Sequence, residues 1–324
     1  MTTQDNKQDI FGSSFCLNSH GDGWERYELL PHIGRGTMTL YHIFPGVQVV
    51  FQHFQAKSCF SSTAAVLPHV IEINYCQSGR YECELPGRTF VYMGPRDVVI
   101  NPLSNQMRAS SFPLEEYTGT ALLLYLEEMR QKKEYYSFIG IDLEVFQQRC
   151  CHLGQCQIFR GDSSLCTLFE SMTDKMDQGL MRLRVLNVIS WLCEKEERAG
   201  SLPAYYPRWL IDSVKASRNE LLSASERIPL SDLAANHGLS RRALIDGFRG
   251  VYGETPYAYV RQYRMQEAAA QLIGTRTTIS QIAADAGYQN ASKFSKAFRM
   301  VMGISPSNYR KINCTAGASS APVE

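Results

Sequence analysis

The sequence contains no run of 18 apolar residues, so a membrane-spanning helix is excluded. Its opening stretch, MTTQDNKQDIFGSS, lacks a basic segment followed by an apolar one, so no secretory leader is expected and the chain reads as cytoplasmic. No Cys-x-x-Cys pair occurs: the 10 cysteines stand at 16, 59, 76, 83, 150, 151, 156, 166, 193 and 314. Without an export signal these read as reduced thiols rather than a disulfide framework. The one cluster, Cys150, Cys151, His152 and Cys156 with Cys166 further on, matches no standard zinc spacing. His-x-His is missing too, and His42, His53 and His69 stand singly on separate segments, so neither a metal nor a cofactor is expected.

Net charge is also scarce, at +1 over 324 residues, but it is unevenly placed. Residues 208–312 hold 15 Lys and Arg against 8 Asp and Glu, a net of +7, which leaves −6 for the remainder. A basic segment joined to an acidic one points to a polyanion as the partner of one half only. The length exceeds one ordinary core. The division read from the sequence is a domain over 1–200, a linker over 201–207, a basic domain over 208–312 and a flexible tail over 313–324.

From about residue 36 to 126, short alternating runs are broken by turn residues. Val47 to Phe51 is mostly apolar and β-branched, and Ile71, Ile73 and Tyr75 share a face opposite Glu72 and Asn74. Gln77-Ser78-Gly79 offers a turn, then Arg80 to Leu85 alternates again. Pro86-Gly87 leads into Thr89 to Met93, Val98 to Ile100 follows, and Tyr117 to Leu126 is the last long strand. This spacing predicts an antiparallel barrel or sandwich, a natural pocket for one small molecule. After residue 127 the period turns helical. Over 176–197, Val185, Ile189 and Leu192 recur on one face, fitting either a helix that caps the barrel or a dimerisation helix.

The basic half contains an internal repeat. Leu233-Ala234-Ala235 and Gly238 lie over Ile282-Ala283-Ala284 and Gly287 at an offset of 49. At an offset of 50, Leu244, Phe248-Arg249, Gly253, Pro256 and Tyr259 lie over Phe294, Phe298-Arg299, Gly303, Pro306 and Tyr309. Two copies of one supersecondary unit follow. Each reads as helix-turn-helix: a short helix, a glycine for the tight turn, then a second helix. Thr278 to Gln281 fits a reciprocal capping box, and Pro229 suits a helix start. Leu233, Ala234, Leu239, Leu244 and Phe248 form the buried face of the first copy, and Ile282, Ala283, Tyr288, Phe294 and Phe298 that of the second. A long helix from about Thr255 to Ile273 joins them, packed through Met265, Ala268, Ala269 and Leu272, with Arg261 and Arg264 off that face.

Turned outward on the second helix of the first copy, roughly 240–251, are Ser240, Arg241, Arg242, Ile245, Asp246 and Arg249. On its counterpart, roughly 290–301, they are Asn290, Ala291, Ser292, Ser295, Lys296 and Arg299. Arg reads guanine and Asn reads adenine when such a helix enters the major groove, while Arg249 and Arg299 are better placed for phosphates.

The stretches LSDLAANHGLSRRALIDGFRGVYGETPYAYVRQYRMQEAAAQLI and TTISQIAADAGYQNASKFSKAFRMVMGISPSNYRK carry a specific resemblance. Residues 225–312 resemble the DNA-binding domain of the AraC/XylS family of bacterial transcription regulators. That resemblance implies base-facing positions for Arg241, Arg242, Ile245 and Asp246, with Ala291, Ser292, Ser295 and Lys296. It also makes the barrel similar to cupin-like effector domains and implies contact with RNA polymerase during activation. Asp246 departs from a phosphate-facing surface, unless it pairs with Arg242 one turn earlier or accepts from a cytosine amine. The expected architecture is α+β: an N-terminal antiparallel β-barrel with helices, then an all-α domain of two helix-turn-helix units. The expected function is a non-enzymatic, effector-responsive activator that reads a bipartite promoter site, its barrel binding a small effector or the second subunit of a homodimer. Two alternatives stay open: a cupin-type metal enzyme tethered to DNA, and a barrel that only dimerises.

Overall fold

A computed structural model describes residues 14–61, 69–103, 108–151, 156–161, 164–193, 204–224 and 227–318. The chain forms two compact units, Met1–Ile211 and Asp212–Glu324, and its class is α+β.

The N-terminal unit is built on strands β1 (Phe15–Gly21), β2 (Trp24–Leu29), β3 (Gly34–Phe44), β4 (Val47–Ala56), β5 (Ser58–Ser61), β6 (Val70–Gly79) and β7 (Tyr81–Leu85). There follow β8 (Thr89–Met93), β9 (Val98–Pro102), β10 (Ala109–Ser111), β11 (Glu116–Tyr125), β12 (Gln157–Phe159) and β13 (Tyr206–Pro207). They do not close into one barrel. A larger sheet has the order β1-β2-β3-β4-β11-β6-β9-β12 and a smaller one the order β13-β8-β7-β10-β5, with antiparallel pairing throughout.

The expected turn at residues 77–79 is instead strand: Ser78 pairs with Thr118 and Gly79 with Tyr117. The chain leaves the larger sheet at Gly79, whose φ is +79° and where a Cβ would lie 2.1 Å from the Glu116 carbonyl oxygen. Only glycine meets both demands. The segment read as a linker ends in the smaller sheet, where Tyr206 and Pro207 pair with Phe90 and Thr89.

Five helices cover the outer face of the larger sheet: α1 (Leu126–Gln131), α2 (Lys133–Phe138), α3 (Leu143–Cys151), α4 (Ser164–Glu170) and α5 (Gln178–Cys193). Met181, Val185, Val188, Ile189 and Leu192 of α5 are buried in one cluster with Ile71, Ile73, Leu122 and Leu124. The apolar stripe of α5 is therefore spent on the sheet, which answers the choice between capping and dimerisation for that face. Leu180 and Leu183, off the stripe, stay exposed.

The inner face of the sheet packs Met38, Leu40, Val50, Phe54, Ala121 and Leu123 with Met93 of the smaller sheet. Strand alternation places Gln48, Gln52, Glu72 and Asn74 on that same face. Asn74 is buried and accepts from the Tyr117 hydroxyl at 2.9 Å, whereas Gln52 is 6% exposed and its Oε1 has no partner among the described residues. Burial pushes the Glu72 carboxyl up from 4.5 to about 7. The folded unit thus holds this proton more tightly than the unfolded chain, so the stability it confers is complete below pH 4.5 and is lost as pH rises through about 7. Glu72→Gln is expected to leave stability unchanged at pH 4.5 and to raise it by about 1–2 kcal/mol at pH 8, after allowance for partial exposure. Urea denaturation at the two pH values measures this, and an equal gain at both would show that the carboxyl does not titrate differently on folding.

The lone histidines stay apart from one another. His42 lies 3.4 Å from Gln48 and 3.6 Å from Glu25, His53 bonds Thr118 at 2.9 Å, and His69 lies 3.6 Å from Glu127. Cys156 and Cys166 are buried apart, donating to Asn101 Oδ1 at 2.9 Å and the Arg96 carbonyl at 3.0 Å. His152 lies outside the described residues. Among the described residues, no three His, Cys, Asp or Glu side chains meet as metal ligands would, and no helix is long and apolar enough to cross a membrane.

The C-terminal helices are α6 (Arg208–Ser223), α7 (Leu230–Asn236), α8 (Arg241–Tyr252), α9 (Pro256–Gly274), α10 (Ile279–Asp285), α11 (Ala291–Met302) and α12 (Pro306–Ala318). Helix α12 continues past Ile312, where the tail was expected to start; no proline or glycine pair breaks it there. The repeat is visible in the packing. Phe248 contacts Tyr252 and Tyr259 in the first copy, and Phe298 contacts Phe294 and Tyr309 in the second. In the first copy, Arg218 of α6 inserts its guanidinium among Tyr252, Tyr259 and Tyr263, 5.5–5.9 Å from their ring centres, and donates to the Tyr259 oxygen at 2.7 Å.

Candidate nucleic-acid interface

Each copy places one amphipathic helix so that one face is core and the other is free. Helix α8 buries Leu244, Phe248 and Val251, and α11 buries Phe294 and Phe298. The two helices begin and end alike. Ser240 Oγ accepts from the Ala243 N–H at 3.1 Å, and Asn290 Oδ1 accepts from Ser292 and Lys293 N–H at 2.8 and 3.4 Å. Gly253 and Gly303 close them in the left-handed conformation. Ser240 and Asn290, expected as outward contacts, thus have their side-chain oxygens engaged as N-caps, and both helices start one residue later than the sequence pattern places them. The Asn290 amide nitrogen is left as that side chain's outward donor.

The remaining expected contacts all reach the surface. Arg241, Arg242, Asp246, Arg249, Ser292, Lys296 and Arg299 are exposed, and Ile245, Ala291 and Ser295 are half-buried. Arg242 Nε lies 3.5 Å from Asp246 Oδ2, one turn on. Both side chains are exposed, so the pair adds little stability, but it holds the guanidinium along the helix axis. Helix α8 thereby presents three cations and one acid. Helix α11 presents Lys293, Lys296 and Arg299 with no acid. Lys293 was not among the expected contacts. Its counterpart in the first copy is Ala243, so the repeat gives no hint of it, whereas its charge on an amphipathic helix does.

The turns differ from expectation at two points. Thr278 Oγ1 accepts from the Gln281 N–H at 3.2 Å, but the Gln281 amide turns forward to Asp285 at 3.0 Å, so half of the expected capping box is made. Arg264, expected away from the packed face, is half-buried and donates to the Ala224 carbonyl at 3.0 Å. It passes so close to Gly287 that a Cβ there would lie 2.7 Å from its Nη1. With φ at +83°, Gly287 serves the turn and the passage of Arg264 together.

Two capped helices with basic outer faces, joined by a 19-residue helix, form an arrangement suited to duplex DNA. A model of the helix-turn-helix domain matches residues 233–312. The transcriptional activator AarP of Providencia stuartii is 34% identical over 116 residues, which are 34% of this chain and 86% of that protein. A putative AraC-like transcription regulator of Streptomyces lividans is 37% identical over 82 residues, 25% of this chain and 27% of the relative. The C-terminal domain of AraT, a response regulator from Geobacillus stearothermophilus, is 28% identical, with a TM-score of 0.29, covering 31% of this chain and 84% of that domain. The similarity to several curated relatives spans less than half of their length, from 27% to 43% in three cases. The doubled unit, its capped and basic helices and the relatives from Providencia stuartii and Streptomyces lividans agree, and the chain belongs to the AraC family of DNA-binding transcription regulators.

Proposed function

We propose that the chain is an effector-responsive activator that reads a bipartite promoter site through α8 and α11. The observation that carries the bipartite reading is the doubled unit itself: two helices, each side-chain capped at its start, closed by a left-handed glycine and basic on the face opposite its buried one, joined by one long helix. At ~1.5 Å per residue the 19-residue α9 extends about 28 Å, near the ~34 Å between successive major-groove faces on one side of DNA. Arg242, Ile245 and Asp246 face bases in the first half-site, with Arg241 leading that helix at the groove's edge, and Ala291, Ser292, Ser295 and Lys296 face bases in the second. Arg249 and Arg299 meet phosphates. Activation is supported by the Providencia stuartii relative, a transcriptional activator, and on this reading it runs through contact with RNA polymerase in the cytoplasm.

An effector is favoured by the inner face of the larger sheet. A purely structural core has no use for a desolvated Glu72 carboxyl or an unpartnered Gln52 oxygen. Such a ligand acts only if it binds two states of the protein unequally. The N-terminal unit also serves as the surface for homodimerisation, and no catalysis is assigned to it. Hydroxyl-radical footprinting of the full chain on a bound duplex tests the bipartite reading. Two protected segments one helical turn apart on the same side are expected; a single short footprint would contradict it.

A further inference from the structure

The first helix-turn-helix unit carries a surface cleft whose lining residues the second copy repeats only in part. The cleft, of about 400 Å³, is lined by Arg227, Pro229, Leu230, Ser231, Arg241 and Tyr257. Arg227 lies flat on the Tyr257 ring, its guanidinium carbon 4.2 Å from the ring centre. The Tyr257 hydroxyl is held by the Ile228 carbonyl at 2.5 Å, so the ring that carries Arg227 is itself fixed. A stacked guanidinium keeps its in-plane N–H groups free for an anion and loses less conformational freedom on binding than a solvated one. Arg241, the first residue of α8, lines the same cleft. The nearby acid, Asp232, is engaged by the Ser231 hydroxyl at 2.9 Å.

The position of the cleft says which anion it meets. Its walls are the start of α7 and the start of α8. In a docked helix-turn-helix the second helix enters the major groove and the first crosses the backbone, so a cleft joining their starts faces the sugar–phosphate strand at the groove's edge. The repeat supplies an internal comparison. At the offsets of 49 and 50 that superpose the copies, Arg227 matches Arg276, but Arg241 matches Ala291 and Tyr257 matches Ser307. The second copy keeps one cation and lacks both the stacking ring and the second guanidinium.

We propose that Arg227 and Arg241 form a two-armed clamp for a DNA backbone phosphate, present on the first unit only. The inference rests on the DNA-binding reading above and gives Arg241 a backbone role where the sequence pattern assigned it a base. Its consequence is that the first unit is positioned by the clamp while Arg242 alone of its leading arginines reads sequence.

The test is the salt dependence of binding by the full chain to its preferred duplex and to a scrambled one. Each phosphate contact contributes about 0.9 to the slope of log affinity against log salt. Because both arms hold one phosphate, Arg227→Ala, Arg241→Ala and the double variant are each expected to lower that slope by no more than about 0.9 and to weaken binding to both duplexes by the same factor. Arg227→Lys retains the slope, and Ser231→Glu, which sets a carboxylate at the rim of the cleft, weakens binding several-fold without altering the melting temperature. Arg276→Ala removes less than Arg227→Ala. An unchanged slope in Arg227→Ala overturns the proposal, as does a change of base preference in Arg241→Ala or an equal loss from Arg227→Ala and Arg276→Ala, which would reflect net charge alone. If the unaltered chain binds neither duplex, the DNA-binding reading fails instead, and the two failures are told apart by that control.

Discussion

Replacing Phe298 by alanine is expected to cost about 3–5 kcal/mol and to remove specific DNA binding. Phe298 is fully buried, packs at 5.6 Å against Phe294 and 5.5 Å against Tyr309, and shares its cluster with Met265, Leu272, Ile282 and Ala283. These residues come from α9, α10, α11 and α12, so one ring holds every helix of the second unit. Its removal leaves a cavity that small neighbours such as Ala283 cannot fill. A total stability of roughly 5–15 kcal/mol leaves little margin after such a loss. Helix α11 then no longer presents Lys293, Lys296 and Arg299 in a fixed array. Phe298→Leu, which nearly conserves volume, is expected to cost under ~1.5 kcal/mol and to retain binding. Urea denaturation followed by circular dichroism, with a gel shift on the same samples, measures both effects. Unaltered stability in Phe298→Ala would show that the ring is not the centre of this core.

The second large effect concerns the division of labour between cations. Arg242→Ala is expected to lose ~1–3 kcal/mol of discrimination at one base pair, on the order of 10–100-fold, with little change elsewhere in the site. Arg299→Ala is expected to weaken all sequences alike and to lower the salt slope. The difference follows from position. Arg242 is near the start of α8, where a recognition helix enters the groove, and is 92% exposed with its guanidinium steered by Asp246. Arg299 is in the last turn of α11, where its side chain accompanies the departing backbone. Competition binding against duplexes changed one base pair at a time separates the two. Identical profiles for both variants would undo the assignment.

The C-terminal unit was legible because its information is local and doubled. The apolar period, the turn glycines and the Gly-x-x-Pro endings recur, and the helices read at 240–251, 255–273 and 290–301 form one residue later in each case. That shift has one cause: Ser240, Thr255 and Asn290 look helical by period but sit at the N-cap positions. The N-terminal unit was less legible. Strand β2, Trp24–Leu29, mixes Glu25, Arg26 and Glu28 with Trp24 and Tyr27 out of step and is mostly half-buried, so no apolar face marks it. Strands β12 and β13, of three and two residues, exist only because β9 and β8 offer them an edge. The inner face of β6 was hidden for a similar reason: Glu72 and Asn74 look like a solvent face in sequence, yet Asn74 is buried between sheets. At the interface, the cleft beside Arg227 depends on Tyr257, thirty residues along the chain, and no local pattern announces that stack.

The central claim is that two recognition helices read DNA sequence together. Selection of binding sites from random duplexes by the full chain tests it most directly. Enrichment of two short elements separated by about one helical turn is expected, the first of them blurred at one base pair in Arg242→Ala. Enrichment of a single element, or none at all, would contradict it.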